Sequence, residues 1–212
     1  APTLVIGLGG VGGEMLCQLR RQVGQKFSDH AHVPALQTLL LDSDRKSILA
    51  ATDLTRPGAL TNEETLLLAL RRPQEYRERS DRLQHWLSRR WLYNIPKSLN
   101  TEGLRPLGRL ALVDHSMQTL QRIRMAISQA IAPESISQSE ATTGLTFRGD
   151  AIRVYIVGAA SGGFCGGASF DIGYAVRSTL QKLGVEQAAI VGIFTHSEGS
   201  DQRSSELARV NA

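Results

Sequence analysis

Leu4-Val5-Ile6 is an unbroken apolar run that stops at Gly7, the pattern of a strand buried on both faces. From Val11 the period changes. Val11, Met15, Leu16, Leu19 and Val23 recur at helical spacing, and Arg20 and Arg21 fall near the end of the pattern, where the helix dipole favours cations. A polar connection from Ser28 to Pro34 leads into Leu36 to Leu41, a second buried strand closed by Asp42-Ser43-Asp44. Strand, helix and strand in this order predict a βαβ unit. Its connection is long, which costs little because loop-closure entropy grows slowly with length.

Further along, Thr61-Asn62-Glu63-Glu64 reads as the start of a helix over Leu66 to Leu70, and Gln74 to Tyr93 as a second, arginine-rich helix. Pro106-Leu107-Gly108-Arg109 precedes one long helical pattern through Leu110, Val113, Met117, Leu120, Ile123, Ile127 and Ile131, expected to run until Pro133. Ile152 to Val157 is a third strand and Ala189 to Phe194 a fourth. Between them Ile172, Ala175, Val176, Thr179, Leu180 and Leu183 form a helix face that stops at Gly184, a C-cap residue. A last helical pattern starts at Ser204 and still runs at Ala212, so the expectation is the amino-terminal fragment of a longer protein. Strands alternating with helices predict an α/β fold, a Rossmann-like three-layer parallel sheet with ligands at the carboxyl ends of the strands. We expect one domain over residues 1–212 with a basic helical insertion at about 45–102.

Composition narrows the function classes. With 42% hydrophobic and 21% charged residues the chain has the make-up of a packed domain and not of a disordered one. No apolar run approaches the ~20 residues that cross a bilayer, and the opening Ala1-Pro2-Thr3 lacks the basic start of a secretory signal, so a cytoplasmic location is expected. Cys17 and Cys165 lie far apart, which excludes a disulfide framework or a structural zinc site. The net charge of +4 is unevenly spread: Arg71 to Lys97 holds eight basic residues against three acidic ones, a local +5. Trp86 and Trp91 fall in the same stretch, which raises nucleic-acid binding. Solvated helix faces with tryptophans anchored in the core are the plainer account, and nucleic acid is not an expected partner.

Two glycine loops carry the candidate chemistry. Gly7-Leu8-Gly9-Gly10-Val11-Gly12-Gly13 holds G-x-G-x-x-G between a strand and a helix, where glycines let backbone amides approach a phosphate at the positive end of the helix. A tight turn without ligand is the alternative. An acidic residue for a dinucleotide ribose belongs ~20 residues after such a motif, whereas Asp42 stands thirty residues past Gly12. Asp42 and Asp44 suit Mg²⁺, a hard cation, or else a turn or helix cap. The second loop, Gly158 to Gly167, has P-loop glycine spacing in Gly162 and Gly167, but Ala168-Ser169 stands where Lys-Ser or Lys-Thr is required. A phosphate here would rest on amides, helix dipole and a metal ion. Cys165 as a nucleophile with His115 or His196 as base is disfavoured, since no Arg follows at the spacing of the cysteine phosphatases.

Together the two loops, with the Gly103 to Arg109 turn between them, resemble the tubulin superfamily, and the opening twelve residues from Pro2 to Gly13 and Leu39 to Asp44 look most like its bacterial tubulin-like members. The resemblance implies a tubulin-type nucleotide-binding domain that takes GTP or GDP with Mg²⁺. It implies phosphate contacts at Gly7, Gly9, Gly10, Val11, Gly12 and Gly13, at Gly103 and Gly108, and over Ser161, Gly162, Gly163, Phe164, Cys165, Gly166 and Gly167. Asp42 and Asp44 would hold the metal, and Glu198 and Arg203 the ribose. Gly108-Arg109 resembles the pair that opens the helix after the γ-phosphate loop, and Asp171 follows the signature at the family's spacing, with a helix cap as its expected role. Phe164 and Cys165 depart from the signature, removing a hydroxyl donor and adding a ring, which implies altered or lost phosphate binding.

In the family, the residue that activates water comes from the second domain of the next subunit in a filament. The implied function is therefore a guanine-nucleotide-binding domain that hydrolyses GTP only on assembly, with self-association into filaments and no catalytic residue in this chain. One rival is an adenylating enzyme of the ubiquitin-activating type, which shares the strand, glycine turn, helix, strand and Asp-x-Asp opening. Another is a degenerate interaction module that kept the fold and lost the nucleotide.

Overall fold

A computed structural model describes residues 1–27, 33–196 and 202–211, with the backbone alone for Arg203, Ser204 and Asn211. Five strands, all parallel, form one sheet: β1 (Thr3–Leu8), β2 (Leu36–Asp42), β3 (Thr65–Leu67), β4 (Ala151–Ala159) and β5 (Gln187–Thr195). Their order is β3-β2-β1-β4-β5. The helices are α1 (Gly9–Phe27) and α2 (Arg45–Ala51), then three short ones, α3 (Pro73–Glu78), α4 (Ser80–Leu83) and α5 (Arg89–Tyr93). They continue with α6 (Arg105–Asp114), α7 (Ser116–Ala130), α8 (Pro133–Thr143), α9 (Gly163–Lys182) and α10 (Gln202–Asn211).

Alternation along β1 explains the three layers, since successive side chains of a strand point to opposite faces. Leu4, Ile6 and Leu8 pack on one face with α6, α7 and α9, through Leu110, Ile123, Ile127, Ile172 and Val176. Val5 points to the other face, where Leu16 and Cys17 of α1 and Ala51 of α2 close over it with Leu40 and Val157. Each leucine or isoleucine fully buried here contributes roughly 2 kcal/mol over an exposed one. β5 forms the outer edge: its Phe194 is exposed beside Phe170 and Tyr174 of α9, and its Val191 and Ile193, which alternate to the other face, are exposed as well. Among the described residues no helix is long and apolar enough to cross a membrane.

The structure corrects the middle of the sequence reading. Thr61 and Glu64 do form a capping box, but it caps one 3-10 turn over Asn62–Glu64, and β3 follows where a helix was expected. The Glu64 carboxylate accepts from the Thr61 N–H at 2.8 Å and also from Arg20 and Thr38, which ties the turn to β2 and sets Thr65 opposite Leu40. The stretch 74–93 is three short helices, not one. The long pattern from Pro106 to Ile131 is two helices broken at His115, whose Nε2 lies 2.9 Å from the Ala69 carbonyl oxygen. Pro133 begins α8, at the first-turn position where a missing N–H costs nothing. α6 opens at Arg105, so Gly108 and Arg109 lie in its second turn. Asp171 caps nothing: it sits inside α9 and accepts from Arg109 Nε at 2.8 Å.

Candidate functional site

From β1 the chain moves outward to β2 on one side, and β4 lies on the other. The strand order therefore reverses at β1, and open α/β sheets take their ligands in the crevice at the carboxyl ends of the strands at such a point. A cleft of about 230 Å³ lies there. Leu8, Asp42 and Ala159, the ends of β1, β2 and β4, form its floor. The first turns of α1 and α9 flank it, and Asn100 to Gly103 make the rim.

Both flanking helices present their positive ends. Neither carries an acid in its first turn, and Gly162, the N-cap of α9, makes no side-chain capping bond. The Gly166 N–H is bonded to the Gly162 carbonyl at 2.8 Å, which leaves the amides of Gly163, Phe164 and Cys165 without a partner inside the helix. Each helix end acts as roughly half a positive charge. Among the described residues no lysine or arginine lines the cleft.

The glycines divide into two groups. Gly9 has φ +73° and nothing within 4 Å of an added Cβ, and a Cβ on Gly10 would meet only the side chain of Ser47, so both open onto the cleft. The others admit close packing. A Cβ on Gly7 would lie 2.8 Å from the Gly12 carbonyl oxygen, and one on Gly12 only 2.7 Å from the Gly7 carbonyl carbon, which seats α1 on β1. Gly13 packs on Leu40, Gly166 against the Ala160 carbonyl, and Gly167 against the carbonyl of Arg105. The structure thus gathers Gly9, Gly10, Val11, Asp42, Asp44, Gly103, Gly162, Gly163, Phe164 and Cys165 around the cleft. Gly7, Gly12, Gly13, Gly108, Ser161, Gly166 and Gly167 are not among its lining residues. Glu198 lies outside the described residues, as does the side chain of Arg203.

Asp42 is the best candidate for holding a cation. It is 3% exposed, its Oδ1 accepts from the Asp44 N–H at 3.1 Å, and its Oδ2 is buried without a hydrogen-bond partner among the described residues. Burial pushes its carboxyl up to about 6, against the opposing pull of the bonds from the Asp44 amide and the Ser47 side chain. A cation beside Oδ2 would satisfy that orphaned oxygen, so this residue fits Mg²⁺. Asp44 is partly committed: its Oδ1 caps α2 through the Lys46 N–H at 3.0 Å. Among the described residues no three His, Cys, Asp or Glu side chains form a ready cation cage. A metal held by this pair would therefore draw its other ligands from phosphate oxygens and water.

Phe164 does not put its ring in the cleft. It is 3% exposed and belongs to the core beneath the sheet. Cys165 is buried as well, with Sγ against Gly158, and burial pushes its thiol up to about 12. A raised, buried thiol is a poor nucleophile at neutral pH, which argues against a catalytic role for Cys165.

Sequence reasoning named Gly103 of the rim but missed the rest of the rim and one wall. Ser47, in the first turn of α2, lines the cleft, as do Asn100, Thr101 and Glu102. Glu102 has φ +44° and Gly103 φ +83°, and the Asn100 Oδ1 accepts from the Glu102 N–H at 3.1 Å, a turn that aims the rim at the cleft. Adjacent left-handed residues leave no short motif; only Gly103 signals them. A larger cavity of about 530 Å³ lies beside the amino-terminal half of β2, against Arg20 and α7, away from the strand ends where this fold takes ligands.

A family model described as tubulin-like matches residues 4–212. The chain belongs to this tubulin-like family. The tubulin-like fold recurs in solved structures. CetZ1 from Haloferax volcanii, a GDP-bound monomer, is 13% identical with a TM-score of 0.50, and all of this chain covers 45% of that one. CetZ2 from the same organism, a GTPγS-bound protofilament, is 14% identical with a TM-score of 0.52, with 100% of this chain on 43% of that one. The tubulin-like chain thus spans less than half the length of these two proteins. No curated protein matches the sequence.

Proposed function

We propose that this tubulin-like chain binds a guanine nucleotide with Mg²⁺ in the cleft at the ends of β1, β2 and β4, and that it hydrolyses GTP only when a neighbouring subunit completes the site. The observation that carries the reading is the convergence of two glycine-built helix starts on one cleft that, among the described residues, has no cationic side chain. Backbone amides of Gly9, Gly10 and Val11 and of Gly163 to Cys165 would hold the phosphates. Asp42 and Asp44 would hold Mg²⁺, which supplies the positive charge that none of the described side chains lining the cleft provides. The choice of guanine is supported by the GDP in CetZ1 and the GTP analogue in CetZ2. The CetZ2 protofilament supports self-association along one axis. Glu198 and Arg203 remain the candidates for the ribose.

Amides and dipoles alone leave a triphosphate far from neutral, so GTP affinity should fall strongly when Mg²⁺ is chelated and depend little on any one basic side chain. In this reading the group that aligns the attacking water comes from a neighbouring subunit, and preorganised charge without an aligned nucleophile gives little turnover. Calorimetric titration with GTP and ATP, with and without chelator, tests the binding. Phosphate and pyrophosphate release followed over a protein concentration series tests the chemistry. The proposal expects metal-dependent GTP binding and negligible turnover by these residues alone. ATP preference with pyrophosphate release onto a carboxylate would transfer the chain to the adenylating class.

A further inference from the structure

Helices α3 to α5 form an excursion that leaves the sheet side at Leu70 and returns at Leu99, where the Leu70 N–H donates to the Leu99 carbonyl at 2.9 Å and closes the neck. Its inner side belongs to the core: Tyr76, Leu83, Leu87, Leu92 and Ile95 are buried, and the Tyr76 hydroxyl donates to Asp114. Its outer side is cationic. Of the eight basic residues from Arg71 to Lys97, only Arg71 is ion-paired among the described residues, with Glu75 and Asp114, and the other seven are exposed.

Two of these cations are held in place. α3 packs on α5 and brings Arg77 and Arg89 over the ring of Tyr93, with guanidinium carbons 5.1 Å and 5.3 Å from its centroid. Arg89 Nη2 also donates to the Tyr93 hydroxyl at 3.3 Å. A guanidinium stacked on a ring has one face satisfied and keeps N–H edges for an oxyanion, and its planar fork matches a carboxylate in two parallel bonds.

We propose that this face is a docking surface for an acidic polypeptide segment, whose carboxylates are taken by Arg77 and Arg89 at a spacing fixed by Tyr93. Nucleic acid fits less well. Single strands need open aromatic faces, but Tyr93 lies under two guanidiniums, Trp86 under Arg109 at 5.2 Å and Trp91 under Arg90 at 5.4 Å. Duplex recognition needs an exposed helix to enter a groove, and α3, α4 and α5 have six, four and five residues.

The test is the binding of a fluorescently labelled oligo-glutamate peptide to the full chain, by anisotropy at about 0.15 M salt, where long-range attraction is screened. Arg77→Ala with Arg89→Ala should weaken binding at least about tenfold, whereas Arg21→Ala with Arg124→Ala, which removes the same charge from α1 and α7, should change it less than about twofold. Tyr93→Ala keeps every charge and should still weaken binding severalfold. Equal losses in the two double variants, unchanged binding in Tyr93→Ala, no binding by the unsubstituted protein, or tighter binding of a DNA oligonucleotide would each overturn the proposal.

Discussion

Gly108 of α6 rests directly on the backbone of Gly163, the first residue of α9: a Cβ added at Gly108 would stand 2.2 Å from the Gly163 carbonyl oxygen. Gly163 is itself crowded by the residues before α6, because a Cβ on Gly163 would come within 2.6 Å of the backbone of Gly103 and Leu104. The second glycine loop therefore has two duties. One side lets α6 and the rim residues lie against α9, and the other exposes amides to the cleft.

This division predicts opposite outcomes for two glycine substitutions. Gly108→Ala must push backbone against backbone and should cost about 2–4 kcal/mol of stability. Gly10→Ala meets only the Ser47 side chain, at 3.1 Å, and should stay within about 1 kcal/mol of the parent. Urea denaturation of both checks this; equal midpoints would contradict it.

Asp42 predicts a pH dependence. Its folded carboxyl lies at about 6 against an ordinary 3.8, so its neutral form is favoured in the folded state. The sign follows from linkage. A group whose folded value is raised contributes stability that is present below about pH 4 and lost as pH climbs through 6. At neutral pH the buried charge costs about 3 kcal/mol. Asp42→Asn removes that charge, so it should gain on the parent by about 2–3 kcal/mol between pH 4 and pH 7 without metal or nucleotide. A stability difference that stays flat across this range would contradict the burial of an ionisable carboxyl.

Cys17 and Cys165 are both buried, and burial raises both thiols above their ordinary value. Neither should react readily with a thiol reagent at pH 8 in the folded protein, and both should react once it is denatured. One fast thiol in the native protein would contradict the packing of α1 or α9.

Much of the architecture was legible in unbroken apolar runs. Leu4 to Ile6 and Leu39 to Leu41 lie in the central strands β1 and β2, as runs typical of a strand buried on both faces should, and Ile152 to Val157 became β4 although the exposed Arg153 interrupts its run. Where short-range signals and tertiary contacts disagreed, the contacts won. The Thr61 and Glu64 box is real, yet Arg20 and Thr38 hold the same carboxylate and the chain turns into β3. The apolar period does not survive the break at His115: Val113, Met117 and Leu120 around it are exposed, while Leu110 of α6 and Ile123 and Ile127 of α7 are buried in one core. Phe164 looked like an obstacle in the loop, and only depth shows that its ring points into that core. The cleft itself was half readable: glycines announce the two helix starts, but nothing local announces Ser47 or the rim from Asn100 to Glu102.

The central claim is that the exposed glycine face of α1 forms half of a phosphate site. Its most direct test is calorimetric titration of Mg·GTP into the unsubstituted protein and into Gly10→Val, with far-UV circular dichroism as the control for folding. The side chain added at Gly10 meets only the Ser47 side chain, at 3.1 Å, and lies at the wall of the cleft, so the helix should persist while the amides become unreachable. The account predicts saturable GTP binding by the parent and none by the variant, with identical dichroism. Equal GTP affinity in a folded Gly10→Val protein, or no affinity in the folded parent, would contradict it.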